Sequence, residues 1–439
     1  MIRRAAWVAL LAILSGLWGP GPVSAQVIER ELRERQIQKI TIAVAGFAPF
    51  RMEGGEDLGQ LGERVLVADL KFTTIFDVME GGILPFEPRS VQPDQERTLF
   101  PGLNALKVQH LAVGQVSGRG REAVVEGRLF NVTTGEQIFG KRYVGDVKFF
   151  RLIIHRFADD ILFQLTGEKG VAQTRVAFVS TTGRTSKELF VMDYDGAAAE
   201  AITGNQSINL SPRWSPDGRQ IAYTSYQRDA SQKDNPNLVV LNWDSGRRTV
   251  LSARSGLNVT PAWSPDGQWM AFAMSAGGGT NLFLMPKAGG EPKALTTGPS
   301  ISVSPSFSPN GRQIVFNSDR GGSPQLYVMD VDGANLRRLT LQGTYNSSPR
   351  WSPRGEKIVF MCRAGGNQIC LINPDGTGQQ QLTTQGQNED PAWAPNGRHI
   401  VFASNRLGRR DIYVMHADGS EQRRLTNNGR DNYLPDWGP

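Results

Sequence analysis

The residues whose types and spacing could do chemistry are acids in a repeated turn, four histidines and two cysteines. The acids stand in a block Ser-Pro-Asp-Gly, as at 215–218 and 264–267, where repeated aspartates could act as metal ligands or general acids. The same block is the signal of a type I turn, because proline presets φ at the second position and glycine suits the fourth. Turn formation therefore explains these aspartates without a catalytic role.

The other candidates for catalysis are equally weak. The histidines His110, His155, His399 and His416 do not have the spacing of metal ligands, and a surface or packing role accounts for each. The sequence has no Gly-x-Ser-x-Gly elbow, P-loop or dinucleotide fingerprint. We therefore predict that the protein is not an enzyme and has no catalytic residue, no metal and no cofactor.

The two cysteines, Cys362 and Cys370, lie near the facing ends of two predicted strands joined by a short turn. In an oxidising compartment they could form a disulfide across this hairpin. Two buried, unbonded small apolar side chains explain the pattern equally well.

A repeat sets the architecture. The block Trp-Ser-Pro-Asp-Gly and its variants begin at Trp214, Trp263, Phe307, Trp351 and Trp393, in steps of 49, 44, 44 and 42 residues. This period is typical of one four-stranded blade of a β-propeller.

Two further elements recur six times and determine the number of blades. A β-branched, aromatic strand occurs at 175–180, 220–225, 269–274, 313–318, 357–362 and 399–404. A second element ends in Leu-Thr or a variant, at 188–203, 237–252, 281–296, 325–340, 368–383 and 411–426. Only five internal copies of the Trp strand precede them, so we predict that 434–437 supplies the sixth and closes a six-bladed ring.

The N-terminus has the features of an export signal. Arg3 and Arg4 precede an apolar run at 5–18, and small residues before Ala25 suit cleavage after that residue. The run is shorter than the roughly 20 residues that a membrane span needs. We predict a signal peptide at 1–25 and a soluble mature protein without a membrane span. The full sequence has a net charge of +6, and its charged residues are scattered, which argues against nucleic-acid binding.

Between signal and propeller lies a segment without the repeat, predicted as a small α/β domain at 26–167, followed by the propeller at 168–439. Strand-like patterns occur at 40–44, 111–116 and 123–130, and helical spacing at 59–70 and 149–165. The charged arm at 27–39 is either a mobile, partner-bound segment or a short solvated helix.

The combination resembles the TolB family. The similarity rests on the segment 155–170, on the linker pattern at 165–168 joined to 175–180, and on six such blades in an exported chain. The resemblance implies a periplasmic, non-enzymatic adaptor of the Tol-Pal system that links TolA to the lipoprotein Pal. It implies support of outer-membrane integrity and of constriction at cell division.

In that family Pal docks at one mouth of the propeller channel and the extreme N-terminus contacts TolA. The connections that enter the innermost strands converge on one mouth, where polar side chains could hydrogen-bond a partner loop. The predicted Pal contacts are Ser207, Asn209, Asn258, Thr260, Ser302, Ser304, Asn346, Ser348, Asn388, Asp390 and Asn432. Ordinary turn residues solvated by channel water explain the same pattern. The nearest apolar candidates for TolA contact are Val27, Ile28 and Leu32.

Two other functions fit a propeller: a periplasmic hydrolase that uses the channel, and a small-ligand-binding protein. An acid or histidine cluster in the channel would favour the hydrolase. We expect the free protein to be a monomer.

Overall fold

A computed structural model describes residues 39–52, 55–79, 81–91, 94–227 and 235–439. The predicted signal peptide at 1–25 and most of the charged arm lie outside these ranges. Among the described residues, none of the helices combines the length and apolar character that a membrane crossing requires.

The N-terminal domain is a five-stranded sheet covered by helices, which confirms the predicted α/β class. Its strand order is β2-β1-β3-β4-β5, with β1 parallel to both neighbours and the β3-β4-β5 meander antiparallel. The strands are β1 (Ile40–Gly46), β2 (Phe76–Val78), β3 (His110–Arg119), β4 (Glu122–Asn131) and β5 (Gln137–Asp146).

Two long helices pack on this sheet, α1 (Leu58–Phe72) and α3 (Phe150–Thr166), and a short helix α2 (Phe100–Ala105) lies between them in sequence. The Asp57 side chain caps α1 by accepting from the Gln60 N–H at 3.1 Å. Gly167, at φ +72°, ends α3 in the left-handed conformation that favours glycine. The predicted domain boundary falls at this residue.

The rest of the chain forms six four-stranded sheets, the six blades. Their first strands contact one another in a ring and form the channel wall. For blades 1 to 6 these innermost strands are β9 (Asn209–Trp214), β13 (Asn258–Trp263), β17 (Ser302–Phe307), β21 (Asn346–Trp351), β25 (Asn388–Trp393) and β29 (Asn432–Trp437).

The second strands are β10 (Gln220–Ser225), β14 (Trp269–Ala276), β18 (Gln313–Ser318), β22 (Ile358–Arg363), β26 (His399–Leu407) and β6 (Arg175–Thr181). The third strands are β11 (Asn237–Asn242), β15 (Gly279–Pro286), β19 (Gln325–Asp330), β23 (Asn367–Ile372), β27 (Arg409–His416) and β7 (Lys187–Asp193). The outer strands are β12 (Arg248–Ser252), β16 (Lys293–Ala294), β20 (Arg337–Arg338), β24 (Gln380–Gln381), β28 (Arg423–Arg424) and β8 (Glu200–Ala201).

The ring closes as predicted. Strand β29 at the C-terminus pairs antiparallel with β6, matching Asn432 to Ser180 and Trp437 to Val176. One blade is thus built from two chain segments that are far apart in sequence. Closure removes the free sheet edges that an open array would expose.

The blade cores repeat an aromatic side chain in the second strand. Five of these rings are fully buried and the sixth, Tyr223, is 1% exposed; the others are Phe178, Phe272, Phe316, Phe360 and Phe402. Burial of such a ring removes about 150–250 Å² of surface from water, so one aromatic side chain stabilises the core of each blade.

The cysteines form the disulfide Cys362–Cys370, which settles the alternative that the sequence left open. The bond joins β22 to β23 diagonally, with the two Cα atoms 5.9 Å apart. It fixes the hairpin that carries Arg363.

Candidate partner-binding face

The two ends of the propeller channel differ in chemistry, and we name them by the residues of the innermost strands. The Asn face is the mouth at which these strands begin, at Asn209, Asn258, Ser302, Asn346, Asn388 and Asn432. The Trp face is the mouth at which they end, at Trp214, Trp263, Phe307, Trp351, Trp393 and Trp437.

The N-terminal domain docks on the Trp-face side of blades 5 and 6. Phe72 at the end of α1 stacks on His399 with ring centroids 4.0 Å apart, and its carbonyl oxygen lies 3.0 Å from the His399 Nε2. Glu168, which directly follows the boundary residue Gly167, forms a bidentate ion pair with Arg398, and the closest N–O distance is 2.6 Å. Arg398 and His399 directly follow the turn of blade 5 on the Trp face, so the described part of the N-terminal domain does not cover the Asn face.

At the centre of this interface is a buried polar cluster. Asp69 accepts from the Tyr194 hydroxyl at 2.5 Å and pairs with the His155 Nδ1 at 2.7 Å. Asp69 is 2% exposed and His155 1% exposed. The carboxylate of Asp69 raises the pKa of His155 against the opposing effect of burial. Tyr194 belongs to blade 6, so the cluster joins the two domains.

The residues that begin the innermost strands are buried, although they were predicted to contact Pal. All six are 0% exposed; they are Asn209, Asn258, Ser302, Asn346, Asn388 and Asn432. The Asn346 side chain of blade 4 donates to the Gln325 Oε1 of blade 3 at 2.7 Å, and Thr340 donates to the same oxygen at 2.7 Å. A partner could reach these amides only by breaking the hydrogen bonds between blades. The five asparagines thus join neighbouring blades, whereas Ser302 bonds Ser318 within its own blade at 3.0 Å. That these six residues contact a partner stays a prediction.

The same arrangement recurs and explains the Leu-Thr endings of the repeat. Asn388 donates to the Gln368 Oε1 at 2.8 Å, Thr383 donates to the same oxygen at 2.8 Å, and the Ile369 N–H donates to Thr383. Asn432 is held in the same way by Asp411 and Thr426. Sequence reasoning noticed the threonines but gave them no function, because each shares its acceptor with an asparagine of the next blade and this pairing arises only in the folded ring.

The other predicted contacts remain partly exposed. Thr260, Ser304, Ser348 and Asp390 occupy the third position of their strands, and Ser207 lies in the loop before β9. Residues at this third position also contact each other between neighbouring blades: the Ser304 N–H of blade 3 donates to the Thr260 Oγ1 of blade 2 at 3.2 Å. These five residues keep the exposure that partner contact requires.

This third position carries an unusual backbone conformation. The six residues there have φ between 48° and 56°: Ser211, Thr260, Ser304, Ser348, Asp390 and Leu434. None is glycine, and such a conformation costs an L-residue about 1–2 kcal/mol. Each innermost strand also shifts register against its neighbour at this point. Repeated strain and bulges of this kind cluster at functional sites.

The channel also contains charged side chains, of which only Asp390 was predicted as a site residue. The Asp436 carboxylate accepts from the Trp214 N–H at 2.8 Å and lies 3.5 Å from the Arg213 Nη1. Burial raises the pKa of Asp436 to about 6, against the opposing effect of Arg213. Burial, with the nearby Glu389 charge, raises the pKa of Asp390 to about 6 as well.

Asp390→Asn is expected to stabilise the protein at pH 7.5 by about 1–2 kcal/mol, below the roughly 3 kcal/mol upper bound that the pKa shift implies. The folded pKa of about 6 lies above the usual 3.8, so the ionised carboxyl lowers stability above pH 6 and has no such effect below pH 4. Urea unfolding at pH 4 to 8 measures this, and the variant should show a flatter dependence. The exposed Asp244→Asn is the matched control, and equal pH profiles for Asp390→Asn and wild type would contradict the assignment.

Cations lie along the Asn face at blades 3 to 6. The hairpins between second and third strands open on this face, because the second strand runs antiparallel to the first. Each cation lies over an aromatic ring, 4.7–5.5 Å from the centroid, and together they form the basic rim: Lys187, Arg320, Arg363, Arg406 and Arg410. Such stacking holds these cationic groups in place.

Among the residues that the structure describes, no group of three or more histidines, cysteines or acids is arranged to hold a metal ion. The architecture defines a class of two-domain propeller proteins. In this class an α/β domain packs on one face of a six-bladed ring, and the described residues leave the other face uncovered. Comparison with known proteins identifies the family within this class. The model of the TolB beta propeller domain matches residues 163–439, and that of the TolB amino-terminal domain matches residues 30–138. The chain belongs to the TolB family.

Known relatives agree with this placement. The crystal structure of TolB from Acinetobacter baumannii superposes with a TM-score of 0.75 at 25% identity, covering 92% of this chain and 97% of that chain. The Tol-Pal system protein TolB of Geobacter sulfurreducens is 39% identical over 219 residues, 49% of each chain. That of Syntrophus aciditrophicus is 36% identical over 194 residues, 43% of each. These sequence matches span about half the length of the curated relatives.

Proposed function

We propose that the protein is a non-enzymatic periplasmic adaptor of the Tol-Pal envelope complex. In this role it binds Pal at the Asn face and TolA through its N-terminal arm, and supports outer-membrane integrity and constriction at cell division. Membership of the TolB family and the similarity to Tol-Pal system proteins of other bacteria support the assignment to the Tol-Pal system.

The position of the N-terminal domain supports the Asn face as the Pal-binding face. The N-terminal domain is anchored on the Trp side through His399 and Arg398, and its described part leaves the opposite mouth open with its partly exposed ring and its basic rim. Fixed cations along a concave opening favour a partner that inserts polar groups and presents acidic side chains around them.

The TolA contact rests on different grounds. Val27, Ile28 and Leu32 lie outside the described residues, so the proposal for them depends on their position in the arm and on the family. The described chain begins at Lys39, beside a cavity of about 790 Å³ between the two domains.

A hydrolase that uses the channel would draw on the raised pKa of Asp390 and of Asp436. Both carboxylates, however, make contacts between blades: Asp436 with the Trp214 N–H, and Asp390 with the Leu434 N–H. These contacts give both acids a structural role, so an adaptor accounts better for the site.

Arg363→Glu is expected to weaken Pal binding by about tenfold or more, because it reverses a charge on the basic rim. Titration calorimetry with purified Pal measures this, and adding salt should weaken wild-type binding. The exposed Arg312→Glu on the Trp face gives the same charge change and should leave affinity unaltered. Equal effects of the two variants would contradict docking at the Asn face, and absence of any Pal binding by the wild type would overturn the adaptor assignment.

Deleting residues 26–37 tests whether TolA and Pal bind at different sites on the protein. We expect the shortened protein to lose TolA in a pull-down from envelope extracts and to retain Pal, because the propeller is unchanged. Retention of TolA would show that the arm is not the contact. Failure of the intact protein to recover either partner would count against the proposed function.

A further inference from the structure

A second cavity opens on the Trp face, at the opposite end of the channel from the basic rim. Its volume is about 330 Å³. The walls are the aromatic residues that end the innermost strands and the prolines that follow them in each turn. Five of the aromatic residues are tryptophans, and all six are 6–9% exposed. The proposed adaptor function uses none of this surface.

Two arginines line this apolar cavity. Arg213 belongs to blade 1 and Arg350 to blade 4, so in a ring of six they face each other across the channel axis. Their Nη1 groups donate to the carbonyl oxygens of Pro212 at 2.6 Å and Pro349 at 2.9 Å, which fixes both side chains. The side chain of Arg213 is 11% exposed.

Some hydrogen-bond donors in the wall of the cavity lack an acceptor. Among the described residues that line this cavity, three buried donors have no acceptor: the Nε groups of Arg213 and Arg350 and the indole Nε1 of Trp214. The other four tryptophans of this ring donate their indole N–H to an oxygen. The acid in the cavity lining is Asp436, which already accepts from the Trp214 backbone N–H and faces Arg213.

Unpaired buried donors are destabilising, and an anion that accepts from them would remove this cost. The charge of Arg213 already faces two carboxylates, Asp436 and Asp390, so Arg350 is the guanidinium group whose charge is left to neutralise. A planar anion with two acceptor oxygens matches the fork of donors on arginine. Aromatic and proline walls around a few polar groups are the usual lining of a small-molecule site. The cavity therefore suits a carboxylate on an apolar body.

We propose that this cavity is a second binding site, and that it takes a carboxylate carried on a small apolar or aromatic body between Arg213 and Arg350. Such a group could come from a free organic acid or from the C-terminus of a peptide. The site lies at the other mouth of the channel from the proposed Pal site.

Titration calorimetry on the wild-type protein tests this without any substitution. The probes are 3-phenylpropionate and N-acetyl-prolyl-phenylalanine, each compared with its primary amide. We expect both acids, or the peptide acid alone, to bind at least about tenfold more tightly than their amides. Stronger binding of the peptide acid indicates a peptide C-terminus, and equal binding of the two acids indicates a free acid. No heat from either acid up to about 10 mM, or equal binding of acid and amide, would overturn the proposal.

Variants then locate the site. Arg350→Gln should weaken binding of the acids at least about tenfold, whereas Arg312→Gln, at an exposed arginine in the turn after the innermost strand of blade 3, should not. Asp436→Asn should strengthen binding, because it removes the competing carboxylate. Thermal melting checks that each variant is folded, and Arg350→Lys, which keeps the charge without the fork, replaces Arg350→Gln if that variant fails to fold. Wild-type affinity in the folded Arg350 variant would exclude this cavity.

Discussion

Trp437→Ala is expected to lower the free energy of unfolding by about 3–5 kcal/mol, the range for removing a large buried aromatic side chain. Trp437 ends the strand that closes the ring and is 6% exposed. Its indole N–H donates to the Thr174 Oγ1 at 2.7 Å. The ring also lies near Phe72 and His399, with centroids 6.4 and 6.3 Å away. Loss of this side chain therefore weakens both the closure of the ring and the docking of the N-terminal domain.

Trp269→Ala is the matched control, because the same side chain there is 43% exposed. Surface substitutions of this kind usually change stability by about 0.5 kcal/mol or less. Urea unfolding followed by circular dichroism compares the two variants, and limited proteolysis should show cleavage near residues 175 and 432 in Trp437→Ala alone. Similar stability losses in the two variants would mean that the closing strand is not essential to the ring.

Asp69→Ala is expected to destabilise the protein by about 3–5 kcal/mol, because it removes one partner of a buried charged pair. The substitution leaves His155 and the Tyr194 hydroxyl in the interface without their acceptor. An uncompensated buried donor costs more than the bond itself contributes. We expect the docking between the domains to loosen first, since Asp69 lies on α1 and Tyr194 in blade 6.

Glu56→Ala is a suitable control, because Glu56 pairs with Arg64 at 2.8 Å and both side chains are more than half exposed, at 58% and 60%. Such a surface pair contributes about 0–1 kcal/mol. Calorimetric melting distinguishes the two cases, and Asp69→Ala should separate the melting of the domains into two transitions. A single transition at the wild-type temperature would show that the cluster does not hold the domains together.

The repeat in the sequence predicted the propeller closely, including the closing strand. This was possible because the Trp-Ser-Pro-Asp-Gly block forms its turn from local interactions: the Ser215 hydroxyl donates to the Asp217 carboxylate, and the Arg219 N–H donates to the same oxygen. Strand β5 of the N-terminal domain was not predicted, because its residues are mostly exposed and do not alternate in polarity.

The candidate site was only partly predictable. The residues at the Asn-face mouth were found in the right place, yet Asn209 and Asn388 turned out to be buried, whereas Thr260 and Asp390 remain partly exposed. Position in a turn does not reveal which amide has a partner in the next blade. The basic rim was missed for a related reason, since its arginines are scattered in sequence and come together only around the ring.

What the sequence determined by itself was the local structure of each blade and the number of blades, because turn residues and alternating strands depend on near neighbours. Only the tertiary structure decided which polar groups are used up between blades, which face the N-terminal domain covers, and which charges meet in the channel. Arg213 and Asp436 illustrate this, since they are 223 positions apart in sequence and meet only when the ring closes. Burial and hydrogen bonding between such distant residues depend on the packing of the whole ring, and no local pattern encodes it.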